Sequence, residues 1–167
     1  YHSKKYKSEQ LKSFENHIQS SYQTNLPLII HQRNSEKEII DVLNVYQKTK
    51  PLKVVFHCFT GSSRLRNFCL DNEYIISISG IVTFKNAEDL RNIIKSVPLS
   101  SILIETDSPF LAPMPFRGKT NEPSFVYYVG KYLADFYNIS LEKFEKITND
   151  NFYKLFSKAI RYNEISI

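Results

Sequence analysis

Short apolar runs alternate with amphipathic segments along the first two thirds of the chain. Four of the runs have the length and the content of bulky, β-branched residues that are typical of strands buried on both faces. They cover residues 26–31, 52–57, 74–79 and 102–104. The runs end about 25 residues apart, a spacing that predicts successive strand-helix units of a parallel α/β sheet.

Helical patterns lie between these runs and at both ends of the chain, with apolar residues at three- and four-residue intervals. The predicted helices before the last strand cover about 8–22, a segment from Ser35 to Tyr46, a shorter one with Leu65, Phe68 and Cys69, and about 86–97. Three more follow the last strand and begin at Pro123, at Ser140 and at Thr148 or Asn149, the last of them reaching Ile160.

Two local details accompany these helices. Ser35 and Glu38 have the spacing of a capping box, in which each side chain bonds to the backbone N–H of the other residue. His17 lies off the apolar stripe of the first helix, and His2 lies in a basic segment. We therefore expect both histidines at the surface.

The stretch 101–113, SILIETDSPFLAP, joins the last strand to an abrupt polar turn. Glu105 and Asp107 follow the strand directly, and Pro109 and Pro113 prevent a helix from continuing beyond them. Two carboxylates at the end of a buried strand are costly unless a cation, an arginine or hydrogen bonds compensate for them. In the alternative interpretation, Asp107 only caps the turn through its own side chain.

Composition narrows the class of protein without deciding its function. A chain of 167 residues with 42% hydrophobic residues predicts a single packed domain over 1–167. The net charge of +5 permits an acidic partner such as nucleic acid. Cys58 and Cys69 form neither a CxxC pair nor a disulfide framework, which favours a reducing, cytoplasmic setting. Since no apolar run approaches about 18 residues, we expect no membrane partner.

Three of the four strand ends carry residue types that bind metals: His31, His57 and Asp107. A lone histidine after an apolar run is more often a hydrogen-bonded structural residue. Two histidines at equivalent positions of successive strands, together with an aspartate, favour a shared metal site. Parallel strands bring their carboxyl ends to one edge of the sheet. Imidazole and carboxylate suit Zn, Mn, Ni or Fe, with Mg an alternative where carboxylates and waters dominate. Three ligands leave room for a water whose pKa the metal lowers, so the pattern predicts hydrolysis.

Six runs of the sequence, in this order, resemble the TatD family of metal-dependent deoxyribonucleases. They are LPLIIHQR, VVFHCFTG, ISISGIVTF, LIETDSPFLAP, RGKTNEP and NDNFYKLF. The resemblance implies a TIM-like barrel with one or two divalent metals at its carboxyl rim. It also implies hydrolysis of DNA phosphodiesters, often as a 3′ to 5′ exonuclease assisted by Mg.

The resemblance also assigns roles to particular positions. It implies that His31, His57 and Asp107 are metal ligands and that Glu105 and Arg33 lie near the metals. Asn121 and Glu122 fall in the family's NEP loop and would serve the substrate or the outer shell of the site. Members of the family also carry an early His-x-His pair and a later Glu ligand, and this chain has no His-x-His. We therefore expect only strands five to eight of the barrel here, with the N-terminal half missing.

The working hypothesis is that a metal-activated water hydrolyses a DNA backbone in a monomeric protein, with Asp107 as ligand and base. Arg33, Arg117 and Lys119 are candidates for binding flanking phosphates. Phe59, Phe110 and Phe116 are the aromatic residues in rim turns and hence the candidates for DNA contact. Two alternatives remain open: a metal-dependent hydrolase of small amides, esters or lactones, or an inactive fragment that lacks the N-terminal metal ligands.

Overall fold

The computed structural model of the chain describes residues 6–159, which form a four-stranded sheet covered by six helices. The strands are β1 (Leu28–His31), β2 (Val54–His57), β3 (Ile75–Ile78) and β4 (Ile102–Ile104). They lie in the order of the chain, and each pairs in parallel with the next. The predicted parallel α/β architecture is confirmed.

The helices follow the strands in the predicted alternation. They are α1 (Lys7–Thr24), α2 (Glu36–Gln47), α3 (Ser63–Asp71), α4 (Glu88–Ile94), α5 (Val126–Phe136) and α6 (Leu141–Leu155). Short 3₁₀ turns occupy Gly80–Thr83, Leu99–Ser101 and Pro123–Phe125. None of the helices between residues 6 and 159 is both long enough and apolar enough to cross a membrane.

The two faces of the sheet are covered unequally. Side chains of a strand alternate between faces, and one set packs under the helices in the large core, including Ile30, Phe56, Ile76 and Ile102. The opposite set forms a small second cluster of Val55, Ile75 and Leu103 with Leu155 of α6. Ile29, on this second face of the edge strand β1, is 61% exposed. The second face is therefore covered at β2 to β4 and open at β1.

Helix α6 corrects one prediction. Separate helices were expected from Ser140 and from Thr148 or Asn149, but one continuous helix runs from Leu141 to Leu155. Ser140 caps it by accepting a hydrogen bond from the Lys143 N–H. The Thr148 hydroxyl instead donates to the carbonyl oxygens of Phe144 and Glu145, one turn back, so it does not start a new helix.

Other details of the helices also differ from the sequence pattern. The side chain of Ser35 makes no capping hydrogen bond, and the carboxylate of Glu38 pairs with Lys7 of α1, so the predicted capping box is wrong. Helix α4 is shorter than the predicted 86–97. His17 is exposed, as predicted, and its Nδ1 lies 2.7 Å from the Ser13 carbonyl oxygen. His2 and Ile160 lie outside the described residues.

Candidate metal centre

His57 and Glu105 meet above the second face of the sheet. His57 is two residues beyond Val55 on β2, and Glu105 is two residues beyond Leu103 on β4, so both side chains point to the side of the second cluster. The Nδ1 atom of His57 lies 2.7 Å from Oε1 of Glu105. Both side chains are partly buried, at 28% and 20% exposure.

Strand β3 lies between these two residues and presents a small side chain to them. Ser77 has the same parity as Ile75 of the second cluster and is 4% exposed. Ser77 is in register with Leu103, and Ser79, two residues further along the same face, is 3% exposed. Ser77 was missed by sequence reasoning, although the alternation ISIS in β3 carries the signal.

Asp107 reaches the same group from the turn after β4. Its backbone has a left-handed φ of 59°, a conformation that aspartate tolerates better than most residues. Its Oδ1 lies 3.4 Å from His57 Nε2, so the imidazole has a carboxylate near each nitrogen. One ligand atom from each of His57, Glu105 and Asp107 lies within 4.8 Å of the others.

The carboxylate of Glu105 fits a metal ligand. Its Oε1 atom is buried and accepts no hydrogen bond from the residues that the structure describes, since the close approach of His57 lacks hydrogen-bond geometry. A buried carboxylate oxygen without a donor is costly, and a coordinated cation would satisfy it. One imidazole and two carboxylates are a donor set that suits Zn²⁺ or Mn²⁺. The residues present therefore fit the divalent metal that the sequence predicted.

His31 lies beside this group rather than within it. It is in register with His57 on the neighbouring strand, and the two rings lie 5.5 Å apart at an angle of 39°. His31 is exposed and faces an open cleft of about 920 Å³ between α1 and β1. Arg33 also lines this cleft. The role of His31 as a ligand stays a prediction, as does the role of Arg33 near the metals.

Asn121 holds the turn that carries Asp107. Its side chain is 3% exposed and donates from Nδ2 to the carbonyl oxygens of Thr106 at 2.8 Å and of Phe110 at 2.6 Å. Its backbone N–H donates to the Pro109 carbonyl oxygen. Asn121 thus bonds to both sides of the turn, which is a positioning role.

Glu122, the next residue of the NEP run, has a different environment. Its side chain is exposed, and its Oε1 accepts a hydrogen bond from Ser124 Oγ at 2.5 Å. This contact lies at the start of the 3₁₀ turn that precedes α5. The structure places Glu122 outside the group of three candidate ligands, and its predicted role stays a prediction.

Two residues of the 3₁₀ turn Gly80–Thr83 also hold the loop after Asp107 in place. Thr83 donates from Oγ1 to the Gly80 carbonyl oxygen at 2.7 Å and accepts from the Met114 N–H at 2.9 Å. A Cβ atom added to Gly80 would lie 2.2 Å from the Leu111 carbonyl oxygen and 3.1 Å from the Pro113 nitrogen. Only glycine permits this approach of two backbones. The sequence marked Gly80 as a strand end and gave no sign of its partner.

Cys58 lies next to His57 and has the pKa of a weakly acidic thiol. Its pKa is raised to about 11, mainly by burial, with a hydrogen bond from Ser79 lowering it and the carboxylates of Glu105 and Asp107 raising it. The Sγ atom lies 3.2 Å from Ser79 Oγ. A thiol with this pKa carries very little thiolate, which is the nucleophilic form.

The three aromatic candidates for substrate contact differ sharply in exposure. Phe59 is buried in the core at 3% exposure. Phe116 stacks on Phe125 with centroids 4.2 Å apart and meets the edge of Tyr128. Phe110 is 68% exposed, on the turn that carries Asp107.

Comparison with known proteins gives one consistent family. The family model described as TatD related DNase matches residues 1–157. The chain is 41% identical over 156 residues to YcfH of Escherichia coli K12, an uncharacterized metal-dependent hydrolase. The match covers 93% of this chain and 58% of YcfH. It is 39% identical over 150 residues to the uncharacterized metal-dependent hydrolase YabD of Bacillus subtilis, covering 90% of this chain and 58% of YabD.

A solved structure agrees with these relatives. The crystal structure of YjjV, a TatD homologue from Escherichia coli K12, superposes with a TM-score of 0.76 at 26% identity. The superposition covers 84% of this chain and 53% of YjjV. The chain therefore spans little more than half the length of the proteins that it matches.

Proposed function

The chain belongs to the TatD related DNase family, and on that premise we propose that it takes part in metal-dependent hydrolysis of DNA phosphodiester bonds. The observation that carries the proposal is the convergence of His57, Glu105 and Asp107, with one buried carboxylate oxygen lacking a donor. The names of YcfH and YabD, both metal-dependent hydrolases, support it. By the resemblance, digestion proceeds from the 3′ end.

The three converging side chains would hold one divalent ion, and His31 would contribute to a second. A bound divalent ion would lower the pKa of a water molecule at the site. It would also stabilise the negative charge that develops on the phosphate oxygens during the reaction. His57 lies between the two carboxylates, with Nδ1 2.7 Å from Glu105 Oε1 and Nε2 3.4 Å from Asp107 Oδ1. Asp107 is partly exposed in its turn and is placed to accept a proton from a water at the site. Substrate phosphates would be received by the cations Arg33, Arg117 and Lys119.

We also propose that residues 1–167 are a single domain that forms part of a larger barrel, with this sheet as one half of it. The open edge of β1 and the exposed Ile29 on the second face support this, because a barrel encloses that face and leaves no free edge. The relatives are long enough to supply the remaining strands. A monomer and a cytoplasmic location remain predictions.

The test is hydrolysis of 5′-labelled single-stranded DNA by the purified chain with Mg²⁺, Mn²⁺ or Zn²⁺, beside a panel of small esters, amides and lactones. Metal-dependent shortening from the 3′ end is expected, and Asp107→Asn should reduce it at least about a hundredfold. Asparagine tolerates the left-handed backbone at this position, so the fold should persist. Asp135→Asn, on the exposed side of α5, is the control.

The outcomes separate the alternatives. Turnover of a small ester or lactone with no loss of DNA would overturn the proposed substrate and leave the metal chemistry. Tight metal binding without hydrolysis of any substrate would favour the fragment that needs further ligands. DNA hydrolysis that is unchanged by Asp107→Asn would remove this site from the reaction.

A further inference from the structure

Phe110 is the most exposed of the large hydrophobic side chains in residues 6–159, at 68%. We infer that its ring stacks on a nucleobase of single-stranded DNA beside the phosphodiester bond to be cleaved. The inference rests on the proposed function and deepens it, because it names the residue that distinguishes a nucleic acid from a small phosphodiester. Three features support the inference. The turn that carries Phe110 is held in place, Phe110 lies close to Asp107 in the sequence, and the loop carries positive charge.

The turn that presents Phe110 is held on both sides. The Phe110 N–H donates to the Asp107 carbonyl oxygen at 2.9 Å, and the Phe110 carbonyl oxygen accepts from Asn121 Nδ2 at 2.6 Å. Asn121 is itself buried. A ring on an anchored backbone loses little conformational entropy when a ligand binds, and this favours a contact residue over a loosely attached one.

The same turn joins Phe110 to the candidate metal centre. Asp107 lies in the group of three ligand atoms, and the hydrogen bond between Asp107 and Phe110 closes the turn that carries both residues. Phe110 therefore lies within one turn of the chain from a candidate metal ligand. In a nucleotide chain, the groups attached beside a phosphate are a sugar and its base.

The other two aromatic candidates do not share these properties. Phe59 is buried, and Phe116 is already packed against Phe125 and Tyr128. Phe110 has no ring partner among the contacts of the described residues. Its ring is exposed to solvent and does not pack in the core. Of the three candidates, Phe110 is therefore the one whose ring is accessible to a ligand.

The charge of the loop suits a polyanion. Residues 108–121 contain two cations, Arg117 and Lys119, and no carboxylate. The Arg117 guanidinium lies 3.6 Å from the centroid of the Phe84 ring, and Lys119 Nζ lies 5.6 Å from that of Phe116. Both residues are exposed. Aromatic rings that stack on bases, next to cations that follow the backbone, are the general means by which proteins bind single strands.

The test is binding of two fluorescent single strands of equal length and charge, one with bases and one abasic, measured by anisotropy with Mn²⁺ present and with phosphorothioate linkages that resist hydrolysis. The chain should prefer the base-bearing strand by about fivefold to a hundredfold, the range expected for one stacked base. Phe110→Ala should remove most of this preference and leave the affinity for the abasic strand unchanged. Phe110→Tyr should keep the preference, because it keeps the ring. Val45→Ala, at an equally exposed apolar position on α2, should change neither affinity.

Two results would overturn the inference. Either the chain shows no preference for bases, or Phe110→Ala weakens both strands equally, as a purely structural role of the turn would require. Since the phosphorothioate linkages resist hydrolysis, failure of base stacking is distinct from failure of the proposed function. In that case metal-dependent cleavage would persist in Phe110→Ala at the rate of the unchanged chain.

Discussion

His57 and Glu105 contact each other across an intervening strand, with Nδ1 and Oε1 2.7 Å apart although β3 separates β2 from β4. On the intervening strand, Ser77 has the parity of the second face and is 4% exposed, so this face carries a small side chain between the two strands. The histidine, the glutamate and the serine thus form one arrangement in which the serine contributes by its size.

Replacing Ser77 tests this arrangement. Ser77→Leu should lower the affinity for Mn²⁺ or Zn²⁺ at least about tenfold, because the larger side chain displaces the imidazole, and overpacking should cost about 1–3 kcal/mol of stability. Ser77→Ala keeps the space and should retain the affinity. Calorimetric titration measures both variants, and circular dichroism checks that each is folded. Equal affinity in the two variants would show that the size of residue 77 is irrelevant.

A second prediction concerns the turn that carries Asp107. Asn121→Ala removes two hydrogen bonds to the carbonyl oxygens of Thr106 and Phe110. Leaving two part-buried acceptors without their donors should lower the free energy of unfolding by about 1 kcal/mol, and metal affinity should fall because Asp107 loses its position. Urea denaturation and metal titration provide the two measurements. Asn92→Ala, on the exposed side of α4, is the matched control. A stability loss without any change in metal affinity would separate the turn from the site.

A third prediction uses two glycines with opposite surroundings. Gly80→Ala should destabilise the chain by about 1–3 kcal/mol or more, because its Cβ would overlap backbone atoms that cannot rotate away. Gly130 lies inside α5, where an added Cβ would have Ile104 Cδ1 at 3.4 Å as its nearest neighbour. Gly130→Ala should be neutral or stabilise by up to about 1 kcal/mol, since alanine favours helix. Thermal unfolding of both variants is the measurement, and equal effects would contradict the close approach at Gly80.

The sequence predicted the strands well because burial on both faces leaves a simple pattern of short apolar runs. It also predicted that His57 and Asp107 would approach each other, since both follow parallel strands at the same edge. The resemblance to the family predicted that Glu105 lies near the metals. Glu105 is two residues beyond Leu103, and this spacing places its side chain on the same face of the sheet as that of His57.

Other features depend on contacts between segments far apart in the chain, and local pattern carries no signal for them. The left-handed backbone of Asp107 and the hydrogen bonds from Asn121 are set by packing of the loop. Glu38 bonds to Lys7 of another helix instead of to the backbone at Ser35, so a strong local motif did not decide the structure. The continuity of α6 through Thr148 shows the same limit, because its hydroxyl bonds back to the helix as readily as it caps one.

The central claim is that His57, Glu105 and Asp107 bind one divalent cation. Anomalous diffraction from crystals of the chain grown with Zn²⁺ tests it most directly. We expect a zinc peak about 2.0–2.2 Å from a nitrogen of His57 and from oxygens of the Glu105 and Asp107 carboxylates. Zinc found only at other residues, with no peak between these three side chains, would contradict it.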